Sequence, residues 1–282
     1  MNDKTLTQAA SFFQEYTSDD AITKYTSRTA GFGVNYLLDH DYKAVYLDAL
    51  HRLPQDVLVK GIRVLEFGCG GGMNLIRLVR VLQEAGIRIE KAVGADFSPV
   101  LIDAAKREAK QLLKHEDLQK LEFHVARNEQ LIDDLATNLG GTPKDLGNSF
   151  HLLLGVNTIR YCHAAQKEMQ NAQQIYDLLI PGGVTVIIDM NDRFPLFRSD
   201  LKNRFRREKA EECYVPSLEE YAAPFSKTGF EVITKRHFCW VPHSSGRVMC
   251  YVLKAMSPLL NAGFGSRAMR SLVVARKPER PV

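Results

Sequence analysis

The sequence of 282 residues lacks most features of metal-binding, disulfide-bonded or membrane-spanning proteins. Its five cysteines are scattered without a Cys-x-x-Cys pair, which argues against zinc or a disulfide framework and fits a reducing compartment. It has no run of eighteen apolar residues and no basic-then-apolar start typical of a signal peptide. The net charge of +4 is too small to indicate nucleic-acid binding. We therefore expect a cytoplasmic globular protein that holds no metal and binds no nucleic acid.

A glycine-rich turn after a strand-like segment is the most informative feature that the chain does contain. A short apolar run that includes Glu66 predicts a buried strand. Gly68, Gly70 and Gly72 follow it, and a helical pattern comes next. Strand, glycine loop and helix in this order form a nucleotide-sized site at a helix N-terminus. A dinucleotide fingerprint needs a third glycine at position 73, where this chain has methionine, so the spacing argues against pyrophosphate binding.

The acids near the glycine loop indicate which ligand it takes. Glu66 would repel a phosphate but attract an ammonium group, and glycines let a flat or charged ligand approach the backbone. About one helix further on, a second predicted strand ends at Asp96, whose two carboxylate oxygens suit the two hydroxyls of a ribose. These features fit an adenosyl amino acid better than NAD or ATP.

Four motifs in order resemble those of class I S-adenosylmethionine-dependent methyltransferases. They are VLEFGCGGG at 64–72, VGADFSP at 93–99, FHLLLGVNTIRYC at 150–162 and LLIPGGVTVII at 178–188. The resemblance covers residues 60–190 in strict order and extends more loosely to the C-terminus. It implies S-adenosylmethionine as the cofactor and a small-molecule acceptor as the partner.

The resemblance also implies which residues hold the cofactor. Glu66 would lie near its ammonium group, Asp96 would bind the ribose, and Phe97 or Ser98 would meet the adenine edge. Where the family often has an acid facing the adenine amino group, this chain has Arg127, which cannot accept a hydrogen bond, so Asn128 is the candidate. The other cofactor candidates are Gly68, Cys69, Gly70, Gly72 and Gly155.

Acceptor-side candidates follow the fourth and fifth strands and lie in the N-terminal segment. Methyl transfer from a sulfonium is an in-line displacement that needs alignment and exclusion of water, and an O–H acceptor also needs a base. His163 and His40 are the candidate bases because imidazole titrates near neutral pH, and Tyr25 is predicted to close over the site. An exposed or packed side chain is the alternative for each. The substrate-binding candidates are Arg28, Asn157, Arg160, Tyr161 and Asn191, with a salt bridge the alternative for Arg160 and a solvated turn for Asn191.

The alternation of strand and helix patterns predicts an α/β fold. We expect a Rossmann-like, doubly wound sheet of about seven strands, mostly parallel with an antiparallel edge hairpin, plus a helical cap. The predicted strands are 63–67, 91–95, 121–125, 151–154, 184–189, 230–239 and 268–275, and the main predicted helices are 73–84, 99–114, 128–137 and 164–179. An N-terminal segment, 1–60, and insertions at about 193–216 and 241–267 would form the cap of a methyltransferase domain at 61–282.

Three functions are compared at this stage. The leading hypothesis is methyl transfer to a small organic metabolite, with oxygen slightly favoured over nitrogen or carbon, in specialised metabolism or lipid tailoring. The alternatives are a non-methylating member that binds the cofactor as a cyclase or regulatory module, and a macromolecule methyltransferase. The fourth-strand motif lacks the Asn-Pro-Pro-Tyr or Asp-Pro-Pro-Tyr tetrad used on exocyclic amines. A basic run at 193–209 leaves peripheral membrane contact open, without stable insertion, and the apolar 241–267 segment leaves a homodimer open.

Overall fold

A computed structural model describes residues 19–26, 30–195 and 215–279 of the chain. Arg28, Cys213, most of the basic run at 193–209 and most of the predicted insertion at 193–216 lie outside the described residues.

One seven-stranded sheet forms the centre of the fold, with the strand order β3-β2-β1-β4-β5-β7-β6. Strands β1 to β5 are parallel, and β7 runs antiparallel to both of its neighbours, β5 and β6. The predicted Rossmann-like sheet with an antiparallel edge hairpin is therefore confirmed. The strands are β1 Ile62–Phe67, β2 Ile89–Asp96, β3 Leu121–Val125, β4 Phe150–Val156, β5 Leu179–Met190, β6 Glu231–Phe238 and β7 Arg270–Arg276.

Helices cover both faces of this sheet. They are α1 Asp19–Tyr25, α2 Phe32–Leu37, α3 Lys43–Leu50, α4 Gln55–Lys60, α5 Met73–Glu84, α6 Pro99–Leu112, α7 His115–Leu118, α8 Leu131–Leu139, α9 Pro143–Leu146, α10 Ile159–Ala164, α11 Glu168–Leu178, α12 Leu218–Thr228 and α13 Arg247–Phe264. A π-helical turn, Leu38–Tyr42, joins α2 to α3, and short 3-10 turns occur at Asn128–Gln130 and Gly265–Arg267.

Two hydrophobic clusters lie on opposite faces of the sheet because successive side chains of a strand point to opposite sides. In β1, Val64 belongs to one cluster, while Leu65 and Phe67 belong to the other. The first cluster includes Tyr42 and Tyr46 from the helical segment before β1. Glu66 is two residues after Val64, so its side chain points towards this first cluster.

The structure corrects three predicted boundaries. The predicted helix 164–179 corresponds to α11, which begins four residues later at Glu168, and the short helix α10 before it was not predicted. Gln166, with a positive φ of 57°, lies between the two helices. Pro181, Gly182 and Gly183, which precede the predicted fifth strand 184–189, lie inside β5, where the pairing with β4 shifts register. The predicted helix 128–137 begins with the 3-10 turn and continues as α8.

Helix α13 of the predicted 241–267 cap segment packs against α2 of the N-terminal segment. Tyr251 stacks edge-on against Tyr36 at a centroid distance of 6.0 Å, and Phe32 lies 6.3 Å from Tyr251. A Cβ atom on Gly33 would lie 2.6 Å from the carbonyl oxygen of His243, so glycine permits this close crossing. We use the name cap for α2, α13 and the loop 239–246.

The outward face of α13 is apolar. Val248 and Leu259 are 77% and 76% exposed, whereas Cys250 is fully buried. The described residues contain no helix that combines the length and hydropathy needed to span a bilayer. The predicted homodimer would use this face and stays a prediction, as does the peripheral membrane contact predicted for the basic run at 193–209.

Candidate active site

The glycine loop follows β1, the strand at which the strand order changes direction across the sheet. The strand order places β1 between β2 and β4, so the loops after β1 and β4 are neighbours at the carboxyl edge. Ligands of open α/β sheets bind in the crevice at such a switch point. Gly68, Gly70 and Gly72 have φ values of 61°, 52° and 78°, the left-handed region that side chains disfavour. The alternating glycine spacing is therefore required by the backbone of this loop.

Close contacts hold the glycine loop in place from two sides. A Cβ atom on Gly68 would lie 2.2 Å from the hydroxyl oxygen of Thr158, which follows β4. A Cβ atom on Gly71 would lie 2.3 Å from the carbonyl oxygen of Tyr25 at the end of α1. The structure thus brings Tyr25 against the loop, as expected for a residue that closes over the site. Arg28, three residues later, lies outside the described residues.

Glu66 is a buried acid that lacks a counter-charge. Its side chain is fully buried, and neither carboxylate oxygen has a hydrogen-bond partner that meets geometric criteria among the described residues. Burial raises the pKa of Glu66 to about 8, although nearby Asn74 and the N–H of Leu75 act in the opposite direction. A cationic group beside this carboxylate would remove the cost of burying its charge.

Asp96 connects the glycine loop to the end of β2. Its Oδ2 accepts a hydrogen bond from the N–H of Gly70, and its Oδ1 accepts one from the N–H of Ser98, both at 2.9 Å. Burial raises the pKa of Asp96, and these two N–H groups partly oppose that shift. Each carboxylate oxygen has a second lone pair, and the predicted hydrogen bonds from the ribose hydroxyls would have to use these second lone pairs.

The predicted adenine side is corrected at Ser98. The Oγ of Ser98 caps α6 by accepting a hydrogen bond from the N–H of Leu101, and the residue is fully buried. Its side chain therefore acts on the helix rather than on an adenine edge, while Phe97 beside it is half-buried. Cys69 is also buried, and burial raises the pKa of its thiol well above the usual value.

We predict that Ser98→Ala lowers the free energy of unfolding by about 1 kcal/mol, because the helix loses its N-cap. The affinity for S-adenosylhomocysteine should stay at the wild-type value. Ser217→Ala, which removes the capping box of α12, is the matched control and should cost a similar amount. Urea unfolding and calorimetric titration measure the two quantities. A large loss of affinity in Ser98→Ala at wild-type stability would restore the adenine role.

Asn128 and Arg127 have different surroundings. Arg127 is paired with Asp134 through its Nε and Nη2 at 3.0 Å, so it turns away from the site. Asn128 donates from Nδ2 to the hydroxyl of Thr158 at 2.8 Å, which ties it to the loop after β4. The amide oxygen of Asn128 is the atom that could accept a hydrogen bond from the adenine amino group, because an amide nitrogen only donates.

Gly155 has a packing role that differs from its predicted one. A Cβ atom there would lie 2.3 Å from the ring of Phe67. The space that glycine leaves is thus filled by an aromatic side chain of the neighbouring strand, rather than by a ligand.

Several polar side chains lie in the segment that follows β4. Asn157, with φ at 56°, accepts a hydrogen bond from Nη1 of Arg270. The guanidinium of Arg160 lies over the ring of Tyr161 at 4.6 Å and forms an ion pair of 3.8 Å with Asp189. Asp189 is 1% exposed, so the salt-bridge alternative for Arg160 is the one observed.

The candidate bases His163 and His40 lie in packed surroundings. The His163 ring meets the ring of Tyr221 edge-on at 5.7 Å, and Tyr221 belongs to the cluster on the face opposite Glu66. Burial lowers the pKa of His163. His40 is exposed and stacks on Tyr36 at 4.3 Å. The Nε2 atom of His163 is buried and has no hydrogen-bond partner among the described residues. The roles of both histidines as bases stay predictions.

Asn191 is a structural residue, which corrects both of its predicted roles. It is fully buried, and its Nδ2 donates to the carbonyl oxygens of Ser266 and Ala268. Its Oδ1 accepts from the N–H of Arg193. The two bonds donated by Nδ2 join the end of β5 to the residues just before β7. Asn191 is therefore neither a solvated turn residue nor free to orient an acceptor.

Sequence reasoning missed a line of four buried polar residues, which we call the polar row: Glu66, Tyr46, Tyr42 and Arg270. Each has a buried side-chain nitrogen or oxygen without a hydrogen-bond partner among the described residues. The rings of Tyr42 and Tyr46 pack with their centroids 6.4 Å apart. The charge of Glu66 helps to raise the pKa of Tyr46, and the charge of Arg270 acts to lower that of Tyr42. Burial is the main cause of both raised values, and the pKa of Tyr42 reaches about 12.

The fold explains how the polar row forms. Tyr42 and Tyr46 are four residues apart on consecutive helical turns and therefore share a face. Tyr42 ends the π-helical turn, a feature that is frequent at functional sites. Arg270 begins the antiparallel strand β7 and pairs with Met190 at the end of β5, so it reaches the same sheet edge. Buried polar atoms without partners are rare, so a row of them is the feature expected of a ligand chamber.

Comparison with known proteins gives a family. A sequence model described as a methyltransferase domain matches residues 38–235. The citrinin polyketide synthase of Monascus ruber is 25% identical over 134 residues, which is 48% of this chain and 4% of that protein. The chain thus spans only a small part of the length of this curated relative.

Solved structures share the fold. Magnesium protoporphyrin IX methyltransferase from Synechocystis, with bound S-adenosylhomocysteine, matches with a TM-score of 0.59 at 13% identity, over 98% of this chain and 100% of that one. The cyclase SpnF matches with a TM-score of 0.51 at 16% identity, over 84% of this chain and 81% of that one.

Proposed function

The chain belongs to a family of methyltransferase domains, and we propose on that premise that it transfers a methyl group from S-adenosylmethionine to a small organic acceptor. The single observation that carries the proposal is the fully buried Glu66 carboxyl group beside the glycine loop, which forms no ion pair among the described residues and whose nearby donors, the Asn74 side chain and the N–H of Leu75, are neutral. The ammonium group of an adenosyl amino acid is the partner that this acid lacks.

The residues present fit such a cofactor. Glu66 would hold its ammonium group, the loop from Gly68 to Gly72 would let its amino-acid half approach the backbone, and Asp96 would hold the ribose. The sulfonium supplies an electrophilic methyl group when the cofactor is bound. The protein then has to align the acceptor and keep water away from it.

The acceptor would lie in the chamber along the polar row. Tyr46 and Tyr42 bring hydroxyl groups to its wall, and α1 and the cap would cover it. Two of the similar proteins, a citrinin polyketide synthase and a magnesium protoporphyrin IX methyltransferase, are named for small organic compounds, which supports an acceptor of that class. Because His163 and His40 have packing partners, we favour an acceptor that is ionised before transfer and needs no base.

A non-methylating function is the second candidate. The cyclase SpnF shares the fold, so an intact cofactor loop is compatible with chemistry other than transfer. The two functions differ in their products, because only methyl transfer converts the cofactor to S-adenosylhomocysteine.

We predict that S-adenosylmethionine and S-adenosylhomocysteine bind the wild-type protein and that Asp96→Ala lowers both affinities by about 10-fold to 100-fold. The variant loses the ribose contact and also frees the N–H of Gly70. Calorimetric titration measures the affinities, and circular dichroism checks that the variant is folded. The wild type is then incubated with S-adenosylmethionine and a panel of phenols, carboxylic acids and β-dicarbonyl compounds. Acceptor-dependent S-adenosylhomocysteine supports transfer, whereas binding without any turnover favours the cyclase or regulatory function.

A further inference from the structure

Arg270 is a buried cation with an unusual set of partners. Its side chain is among the largest in the protein that are fully buried, with 1% of the residue exposed. Its guanidinium donates to the amide oxygen of Asn157 and to the ring of His243. Both of these partners are neutral, and no carboxylate forms an ion pair with Arg270 among the described residues.

The neutrality of His243 follows from its position. Desolvation, and then the positive charges of Arg270 and Arg160, lower the pKa of His243 to about 3. The ring therefore accepts a hydrogen bond from Arg270 without compensating its charge. His243 belongs to the cap loop and is itself exposed to solvent.

The acids near Arg270 do not pair with it. Asp189 is buried and is already engaged by the backbone N–H and the guanidinium of Arg160. Asp41, whose charge acts on Tyr42 and Cys239 together with that of Arg270, forms no ion pair with Arg270 among the described residues. A buried charge without a partner is costly, and proteins retain one mainly where a ligand or a reaction uses it.

One edge of the Arg270 guanidinium remains available. Its Nε–H is buried and has no hydrogen-bond partner among the described residues. An Nε–H together with a neighbouring Nη–H forms the paired donor that binds a carboxylate in a bidentate manner. The hydroxyl of Tyr42 also lacks a partner among the described residues, and the charge of Arg270 acts to lower its pKa.

We propose that Arg270 binds an anionic oxygen group of the acceptor, a carboxylate or an equivalent oxyanion. This proposal rests on the proposed function, and it makes the acceptor an organic acid rather than a neutral alcohol or amine. The polar row then has two ends of opposite character. Glu66 at one end receives the cation of the cofactor, and Arg270 at the other receives the anion of the acceptor. The two tyrosine hydroxyls lie between them, where the reacting atoms would meet.

The test compares acids with their amides, which have nearly the same shape but no charge. Benzoate, cinnamate and octanoate, each with the matching amide, are titrated into the wild-type protein saturated with S-adenosylhomocysteine. At least one acid should bind and should exceed its amide by at least about tenfold. The same acids should raise the thermal midpoint, and the amides should not.

Three variants test whether Arg270 causes the preference for acid over amide. Arg270→Met should abolish the preference for acid over amide while S-adenosylhomocysteine still binds with wild-type affinity. Arg276→Met, in the same strand, removes a surface arginine that pairs with Glu231 and should keep the preference. Arg270→Lys retains the charge without the planar donor pair and should show a reduced preference.

The outcomes separate this proposal from the proposed function. Equal binding of acids and amides, failure of every acid on the cofactor-saturated wild type, or an unchanged preference in Arg270→Met would overturn the role of Arg270. Failure of S-adenosylhomocysteine to bind the wild type would instead overturn the proposed function. The acid and amide comparison uses the wild type alone, so it remains decisive if Arg270→Met does not fold.

Discussion

Replacing Gly68 by alanine should reduce the affinity for S-adenosylhomocysteine at least about 1,000-fold. Gly68 has a φ of 61°, and a Cβ atom on it would lie 2.2 Å from Oγ1 and 2.6 Å from Cβ of Thr158. Rotating the threonine side chain cannot relieve the contact with its Cβ. The loop after β1 and the loop after β4 would therefore move apart, and the two walls of the cofactor crevice would separate.

Gly140→Ala is the matched control for this substitution. Gly140 has a φ of 70°, and a Cβ atom there would meet nothing within 4 Å. The variant should lose about 1 kcal/mol of stability from the left-handed backbone and keep wild-type affinity. Calorimetric titration of both variants, each checked for folding by circular dichroism, separates backbone strain from the steric conflict. Wild-type affinity in Gly68→Ala would contradict the placement of the crevice at these loops.

The affinity for S-adenosylhomocysteine should rise about 100-fold between roughly pH 5.5 and pH 7.5. Burial raises the pKa of Glu66 to about 8, so the free protein carries a protonated side chain over this range. The ammonium group of the ligand requires the carboxylate form, and binding therefore releases one proton. A released proton makes binding about tenfold tighter for each unit of pH, up to the pKa of the free protein.

Glu66→Gln is the variant that tests this linkage. It has no proton to release, so its weaker affinity should not change with pH over the same range. Stability provides an independent check. An acid whose folded pKa exceeds its usual value of 4.5 contributes stability below that pH and loses it as the pH rises towards about 8. The glutamine variant should therefore be more stable than the wild type at alkaline pH. A wild-type affinity that does not vary with pH would refute the assignment of Glu66 to the ammonium group.

Much of the fold could be predicted because local pattern and global structure agree. The glycine loop was recognisable since the left-handed conformations at Gly68, Gly70 and Gly72 leave little choice of residue. The alternation of strand and helix patterns indicated parallel strands, and the motifs indicated the order of those strands along the chain. Predicted boundaries were less accurate where local geometry was irregular, as at the bulged start of β5 and the break between α10 and α11.

The acceptor side could not be predicted to the same extent, because contacts between distant segments create it. Sequence reasoning placed functional residues after the ends of parallel strands, and it therefore passed over Arg270. An antiparallel strand brings its first residue, not its last, to the carboxyl edge. An arginine at the start of an otherwise apolar strand was the available signal. Ser98 and Asn191 were misassigned because their hydrogen bonds to the backbone are not visible in sequence.

The most direct test of the cofactor site is a calorimetric comparison of S-adenosylhomocysteine with methylthioadenosine on the wild-type protein. Methylthioadenosine keeps the adenosine but lacks the amino-acid half that Glu66 and the glycine loop are assigned to hold. The expected result is that S-adenosylhomocysteine binds at least about 100-fold more tightly. Equal affinities, or no binding of S-adenosylhomocysteine at all, would contradict a site built around the buried Glu66 carboxylate.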